Sequence, residues 1–498
     1  LDIFTFHFNI VMYSSLWDCI NKSSFCLKDL CILTLNFFRF ILTEYGNEGY
    51  PVLASLESLI IGMIVDTNDK EIPNLLLKST LDDVKKVYPV FEDCLFYKTL
   101  QGLMLSEQGQ RIAINLTGLT KSWGHPTIVQ TEGIEELKHL TRIKKNLNKE
   151  TLNSIHASWR KTFCRSYFDR HGQFPAVQLD KFSLCRIHPN ILYVIRNRRW
   201  FNENAEPKMT TEDWQSFEFS QCFEYDYTED LERIVSDKAI APPLTEWHQD
   251  YCACSFARSG QKKPGYEKSS RRLLIELVTQ KEDVDIKKIF DDINKRQIGR
   301  EHYRIRLTVK ELEMKSKGRN FSTQTFPIRL WQTISEKNIA DNIFKYLPFQ
   351  SMTIGELATE QRITAMSSIQ GMSKTNDVVF INLDMKKWNM SFRWDTCYLI
   401  ARDMDMLMGI GTNNTIFSHE FFEQCYFTYP STIAPKIGPN GLPTEGHGCH
   451  IGQPGGCEGL RQKLWTECTS EANIVAAAAV SIPVTLICQG DNQALLAR

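Results

Sequence analysis

The sequence has almost no net charge: 58 Lys and Arg against 59 Asp and Glu leave −1 over 498 residues. Bulk charge therefore draws it neither to nucleic acid nor to an anionic surface, and any basic patch must be local. It has no apolar run of the roughly 20 residues that cross a bilayer. Cys31 to Leu42 is too short and is broken by Asn36 and Arg39. Ala472 to Cys488 holds Asn473 and Pro483 and turns from alanine-rich to β-branched midway, which reads as a buried helix running into a buried strand. No membrane partner is expected. Secretory signal features are lacking, and the 15 cysteines have no regular spacing, so they read as free thiols of a reducing compartment. Repeats and low-complexity tracts are missing too. Gly409-x-Gly411 has neither a preceding strand nor a third glycine, which excludes a dinucleotide fingerprint. No serine or histidine sits in a nucleophile elbow or triad context. His447, Cys449, His450 and Cys457 fit no standard zinc spacing.

What is present is ordinary core-forming material. Hydrophobic residues make up 42% and aromatics 11%, enough for a large globular core rather than disorder. The length fits about three domains or one multi-lobed enzyme. Residues 1–120 read as mostly helical, as do 135–170. The stretch 256–272, with Gly260, Pro264, Gly265 and several basic residues, reads as an exposed loop. The last third is richer in signals. Residues 378–383 are β-branched and suit a buried strand ending at Asp384. Ile400, Met404, Leu407 and Met408 mark a helix within 396–410. A glycine-rich loop over 438–459 precedes a helix over about 460–480. Residues 484–488 form a second strand, and Gly490-Asp491-Asn492 a tight turn, with Asn as the residue that tolerates left-handed backbone.

Asp384 and Asp491 thus each stand at the end of a strand. If the strands are neighbours, both carboxylates project from one sheet edge, within about 8 Å of each other, where two can share a pair of metal ions. Magnesium prefers oxygen ligands and completes its shell with substrate phosphates. Alone, either Asp reads equally as a turn or cap residue.

The strings around these residues are more specific. Asp384-Met385-Lys386-Lys387-Trp388-Asn389 resembles motif A (D-x-x-K-W-N) of the large RNA-directed RNA polymerases of non-segmented negative-strand RNA viruses. Residues 452–465, Gly-Gln-Pro-Gly-Gly-Cys-Glu-Gly-Leu-Arg-Gln-Lys-Leu-Trp, resemble their motif B, and Gln489-Gly490-Asp491-Asn492-Gln493 their motif C. Lys310 to Phe321 is similar to their motif F, departing from it at Leu312 where the family carries Arg. Trp123-Gly124-His125-Pro126, the stretch Arg170-His171-Gly172 to Pro175, and Ser236-Asp237-Lys238-Ala239 with Pro242, Pro243, Glu246 and Trp247 resemble further elements. The likeness runs from about 121 to 498.

The resemblance implies a mixed α/β (α+β), right-hand polymerase fold. Residues 1–120 would be a helical region without an assigned role, 121–300 an N-terminal and fingers region, 301–375 fingers with motif F, and 376–498 an incomplete palm. It implies template-directed nucleotidyl transfer with two Mg²⁺ ions, or Mn²⁺, on Asp384 and Asp491, with Asn492 beside them. Lys310, Lys315, Lys317 and Arg319 would hold nucleoside triphosphate. Asn389, five positions after Asp384, would sense the ribose hydroxyl. Gly455, Gly456 and Glu458 would contact template and nucleotide, glycine letting backbone approach a ligand closely. Partners would be RNA template and product, a viral phosphoprotein and a nucleoprotein, in the host cytoplasm and virion, or for some families the nucleus. Leu1 in place of Met and an end soon after motif C lead to two expectations: a chain that is part of a longer protein, and one inactive alone. The rival reading is a catalytically inactive, virus-derived remnant encoded in a host genome.

Overall fold

The structure is a computed structural model that describes residues 2–21, 24–68, 74–201, 209–228, 234, 237, 240–244, 273–279, 284–310, 314, 317–372, 378–411, 414–429, 435–446 and 448–497. The loop expected over 256–272 lies outside them. The chain forms two compact units: Leu1–Ile134 with Val309–Arg319, and Glu135–Thr308 with Asn320–Arg498.

The first unit is helical. In Leu27–Tyr45 the apolar side chains Cys31, Leu35, Phe38 and Ile41 recur every three or four residues and are buried. Cys31, Phe38 and Ile41 meet Leu53, Leu56, Leu59, Ile60, Leu100 and Leu103 of neighbouring helices in one core, where Phe37 stacks on Phe96 at 4.3 Å between centroids. Side-chain caps define helix starts. Asn74 accepts from Leu77 N at 3.0 Å, and Ser106 from Gly109 N at 3.1 Å. Among the described residues no single helix is long and apolar enough to cross a membrane. One bent pair, Leu27–Ala54 with Leu56–Asn68, passes on length and composition, and it supplies much of this core.

The second unit is mixed α/β. Its strands in chain order are β1 (Arg304–Val309), β2 (Asn320–Gln324), β3 (Val379–Asp384), β4 (Tyr426–Thr428), β5 (Cys449–Ile451), β6 (Val484–Gln489) and β7 (Asn492–Ala497). One sheet runs β2-β1-β4-β5 and the other β3-β7-β6. β1 and β4 are parallel, and β3 and β6 both lie antiparallel to β7. The Glu356–Met372 helix packs across the second sheet, burying Met366 with Ile487 and Leu496. The Gln462–Ala479 helix packs on β6 and on the long Lys149–His171 helix, whose Trp159 and Phe163 are fully buried and stacked at 5.4 Å.

The helix expected over 396–410 runs from Trp394 to Met408, with Ile400, Met404, Leu407 and Met408 buried. It stops at Gly409, whose φ of +68° no L side chain adopts easily. Two burial expectations fail. β3 is an edge strand, with Val379 54% and Ile381 38% exposed, because β-branched composition favours strand without distinguishing edge from centre. Ala476, Ala478, Ala479 and Val480 are also exposed, at the end of their helix. Alanine there reflects helix propensity rather than burial.

Candidate active site

β3 pairs with β7 so that Asp384 stands opposite Asn492, the residue after Asp491. The Met385 amide donates to the Asp491 carbonyl at 3.2 Å, extending the pairing around the end of the sheet. β6 and β7 are joined by Gly490 and Asp491 alone, since Gln489 pairs with Asn492. In this two-residue hairpin the positive φ, +66°, falls on Gly490, and Asp491 has none. That is the type II′ pattern, whose twist suits antiparallel strands. The left-handed position is therefore Gly490, and Asn492 is extended as the first residue of β7. The structure thus brings Asp384, Asp491 and Asn492 to one sheet end. Asp384 and Asn492 are exposed there, Asp491 is half-buried, and the Asn492 amide donates to Asp491 Oδ1 at 3.3 Å.

Motif A continues past β3 into a turn and a short helix, Trp388–Ser391, with Lys387 at φ +58°. Trp388 Nε1 donates to Thr469 Oγ1 at 2.8 Å, and Phe392 stacks on Trp465 at 5.3 Å, so motif A rests on the motif B helix. Asn473 of that helix hydrogen-bonds Gln493, the buried last residue of motif C. Asn389 is half-buried, and its Oδ1 accepts from the adjacent Met390 N at 2.9 Å.

The motif B loop is pressed against motif A. Gly455 and Gly456 are buried. A Cβ on Gly455 would lie 2.7 Å from Met390 O and 2.8 Å from Thr141 Cα; one on Gly456 would lie 2.5 Å from Asn389 O and from the Trp465 ring. The close approach these glycines permit is to the protein's own chain. Glu458 is half-buried, and its carbonyl accepts from Ser322 N at 3.4 Å.

A buried polar line runs through this loop. The Gln453 amide donates to Gly455 O at 3.1 Å, and its Oε1 accepts from Thr141 Oγ1 at 3.1 Å and from His450 Nε2 at 3.0 Å. His450 Nδ1 then accepts from Tyr429 OH at 2.8 Å. Burial lowers the His450 pKa to about 4, which keeps the ring neutral as this pattern requires. With both ring nitrogens engaged, His450 is no zinc ligand here; His447 lies outside the described residues. Arg461, fully buried, reaches Ser418 Oγ at 2.5 Å, Thr415 O at 3.0 Å and Glu336 at 3.5 Å. Behind the loop, burial raises the Glu471 pKa to about 7. Among the described residues no three His, Cys, Asp or Glu side chains gather into a metal cage.

The basic residues lie in the other unit. Lys310 N donates to Arg319 O at 2.7 Å, and Lys317 forms a backbone β-bridge with Val129. Lys315 and Leu312 lie outside the described residues. Sequence reasoning missed three residues that hold the site: Thr141, Arg142 and Arg393. Arg142 donates to Ile451 O at 2.7 Å and Gly452 O at 3.1 Å, with its other nitrogen on Glu445 at 2.7 Å. No string marks these three, because each joins the site through a partner remote in sequence: Thr141 through Gln453, Arg142 through Ile451 and Gly452, and Arg393 through Leu140 and Ile143.

Residues 1–497 match the family described as Mononegavirales RNA dependent RNA polymerase, and the chain belongs to that family. Similar proteins are named RNA-directed RNA polymerase L. That of Taro vein chlorosis virus is 27% identical over 91% of this chain and 23% of its own length. The Maize mosaic virus protein is 26% identical over 98% of this chain and 25% of its own, and the Human parainfluenza 3 virus protein 24% identical over 90% and 22%. The chain therefore spans about a quarter of the length of these relatives.

Proposed function

We propose that this chain carries the fingers and the catalytic palm sheet of an RNA-directed RNA polymerase that copies viral RNA by template-directed nucleotidyl transfer. The observation that carries the reading is the pairing of β3 with the β6–β7 hairpin, which sets Asp384 beside the turn holding Asp491. Family membership supports the same assignment.

The oxygen donors at that sheet end fit magnesium or manganese, which bind through one or two carboxylates and leave room for substrate phosphates. When bound, such ions supply positive charge to a phosphoryl-transfer centre. Asp384 and Asp491 would hold them, and Asn492 adds a neutral carbonyl oxygen. Asn389 is the proposed ribose sensor, its amide able both to donate to and accept from a hydroxyl. Lys310, Lys315, Lys317 and Arg319 are the proposed triphosphate grip, charge-assisted contacts being the strong ones for phosphate. The motif B loop, with Glu458 at its rim, is the proposed contact for template and incoming nucleotide. A 3′-hydroxyl then attacks the α-phosphate and pyrophosphate leaves. Phosphoprotein and nucleoprotein-coated template are the partners this reading carries, in infected-cell cytoplasm and virion.

The test uses a full-length polymerase containing this chain, an RNA template, four nucleotides and Mg²⁺ or Mn²⁺. Asp384→Asn and Asp491→Asn should each lower product formation by at least about a hundredfold. Full activity in either variant would refute the assignment.

A further inference from the structure

Residues 140–143 end the Gln130–Arg142 helix, and nothing in the sequence ties them to the catalytic motifs. Yet the structure sets them between motif A and motif B. Arg393, buried just after the motif A turn, donates Nη1 to Met390 O and Phe392 O at 2.8 Å each. Its Nη2 donates to Leu140 O at 3.2 Å and Ile143 O at 2.9 Å. All four acceptors are carbonyls at the C-terminal ends of two helices, where carbonyls lack intrahelical partners and the dipole favours a cation. One planar guanidinium therefore caps both helix ends at once. Lysine, a single ammonium, does not span such a fork.

The third member of the joint is the motif B loop. Gly455 N donates to Thr141 O at 3.0 Å, and Thr141 Oγ1 meets Gln453 Oε1 at 3.1 Å. Gln453 spends its amide hydrogens inside the loop, on Gly455 O at 3.1 Å and Cys457 Sγ at 3.1 Å. A Cβ on Gly455 would meet Met390 O, Thr141 Cα and Arg393 Nη1 within 2.9 Å, so the three segments touch at this one point.

We propose that residues 140–143 are the seat on which the motif A turn and the motif B loop are held as one rigid piece, with Arg393, Gln453 and Thr141 as positioning residues for nucleotide addition. Its catalytic consequence rests on the polymerase reading above; the joint itself rests on the geometry. The three act through others: Arg393 through Met390, the neighbour of Asn389, and Gln453 and Thr141 through Gly455. Loosening the seat lets the proposed ribose-sensing turn and the template loop move independently of each other.

The experiment uses the full-length polymerase and two readouts, amide exchange and steady-state kinetics. Arg393→Lys should speed exchange in residues 388–393 and 453–459 together. It should lower kcat about tenfold or more while nucleotide KM stays within about twofold, since misplacement costs rate more than binding. Thr141→Val should act in the same direction and more weakly, and Thr141→Ser, which keeps the hydroxyl, should restore both readouts. Should Arg393→Lys fail to fold, the Thr141 pair decides alone. Exchange that rises in only one of the two segments, or unchanged kcat in folded Arg393→Lys and Thr141→Val, would overturn the proposal, as would failure of Thr141→Ser to rescue. Coupled exchange in an enzyme that makes no Asp491-dependent product would instead sink the polymerase reading and the catalytic consequence with it, leaving the joint.

Discussion

Asp403 and Glu471 are both fully buried carboxylates near the Lys149–His171 helix, and their surroundings drive them in opposite directions. Around Asp403, burial pushes the pKa up, but the Arg160 guanidinium and His156 outweigh it and hold the group well below the usual range. Arg160 grips it through Nε at 2.5 Å and Nη2 at 2.8 Å, and His156 Nε2 adds a bond at 2.7 Å. Replacing Asp403 by Ala strands a buried guanidinium and should cost about 3–5 kcal/mol in denaturant unfolding. A depressed carboxylate contributes stability above its unfolded pKa of about 3.9, and that contribution is lost as pH falls below it. Glu471 accepts from the neutral hydroxyls of Ser158 and Thr162, and burial outweighs these and the Lys161 charge and raises it to about 7. The sign then reverses. The unfolded chain gives up this proton from about pH 4.3 upward while the folded one keeps it, so stability falls as pH rises to about 7 and levels off beyond. Glu471→Gln should remove that slope, worth on the order of 3 kcal/mol at pH 8, and raise Tm at pH 8 more than at pH 5. Equal Tm shifts at both pH values would contradict a buried, protonated Glu471.

Single elements show which parts of the site could be read from the sequence. Asp384, Asp491 and the glycine loop stood out because each belongs to a contiguous string, and the ends of β3 and β6 fell within a residue of expectation. Thr141 and Arg393 gave no signal, since a side chain that bonds groups distant in sequence leaves no periodicity or spacing behind. The edge character of β3 was hidden for a related reason: pairing partners are set by topology, and Val379 and Ile381 look the same in an edge strand as in a central one. The glycines of the motif B loop stood out as places where backbone can approach a partner closely, and nothing in the string shows that they pack against the protein's own motif A turn. A Cβ added at Gly456 would lie 2.5 Å from Asn389 O and from the Trp465 ring, so Gly456→Ala should behave as an overpacked core change. We expect a loss of about 1–3 kcal/mol together with a fall in activity. If the variant keeps wild-type stability, the loop is not packed as described.

At the scale of the whole molecule, the helical character of the amino-terminal region was plain from its apolar spacing, whereas its extent was not. The unit reaches Ile134 and takes in Val309–Arg319 from much later in the chain. No local pattern announces that a distant segment returns. Among the described residues of that segment, Met314 alone packs against the core of this unit, and only at its margin. Residues 1–134 expressed alone should therefore stay helical and melt cooperatively by circular dichroism, with Tm lowered by only a few degrees, about what 1 kcal/mol is worth in a domain of this size. A gradual, non-cooperative melt would mean that Val309–Arg319 is needed to complete the fold.

The hairpin that carries Asp491 has a consequence for how this sequence can change over time. Its connection holds two residues, Gly490 and Asp491, between strands paired at Gln489 and Asn492. Substitutions elsewhere in β6 and β7 alter packing by degrees. Inserting or deleting one residue shifts β7 by one position against β3 and turns every side chain to the opposite face. Leu496 would leave the core, and Asp384 would lose its place beside the turn. The segment can drift in composition while its length stays fixed, so a gap within residues 484–497 in any aligned descendant would mark a lineage that has abandoned this site.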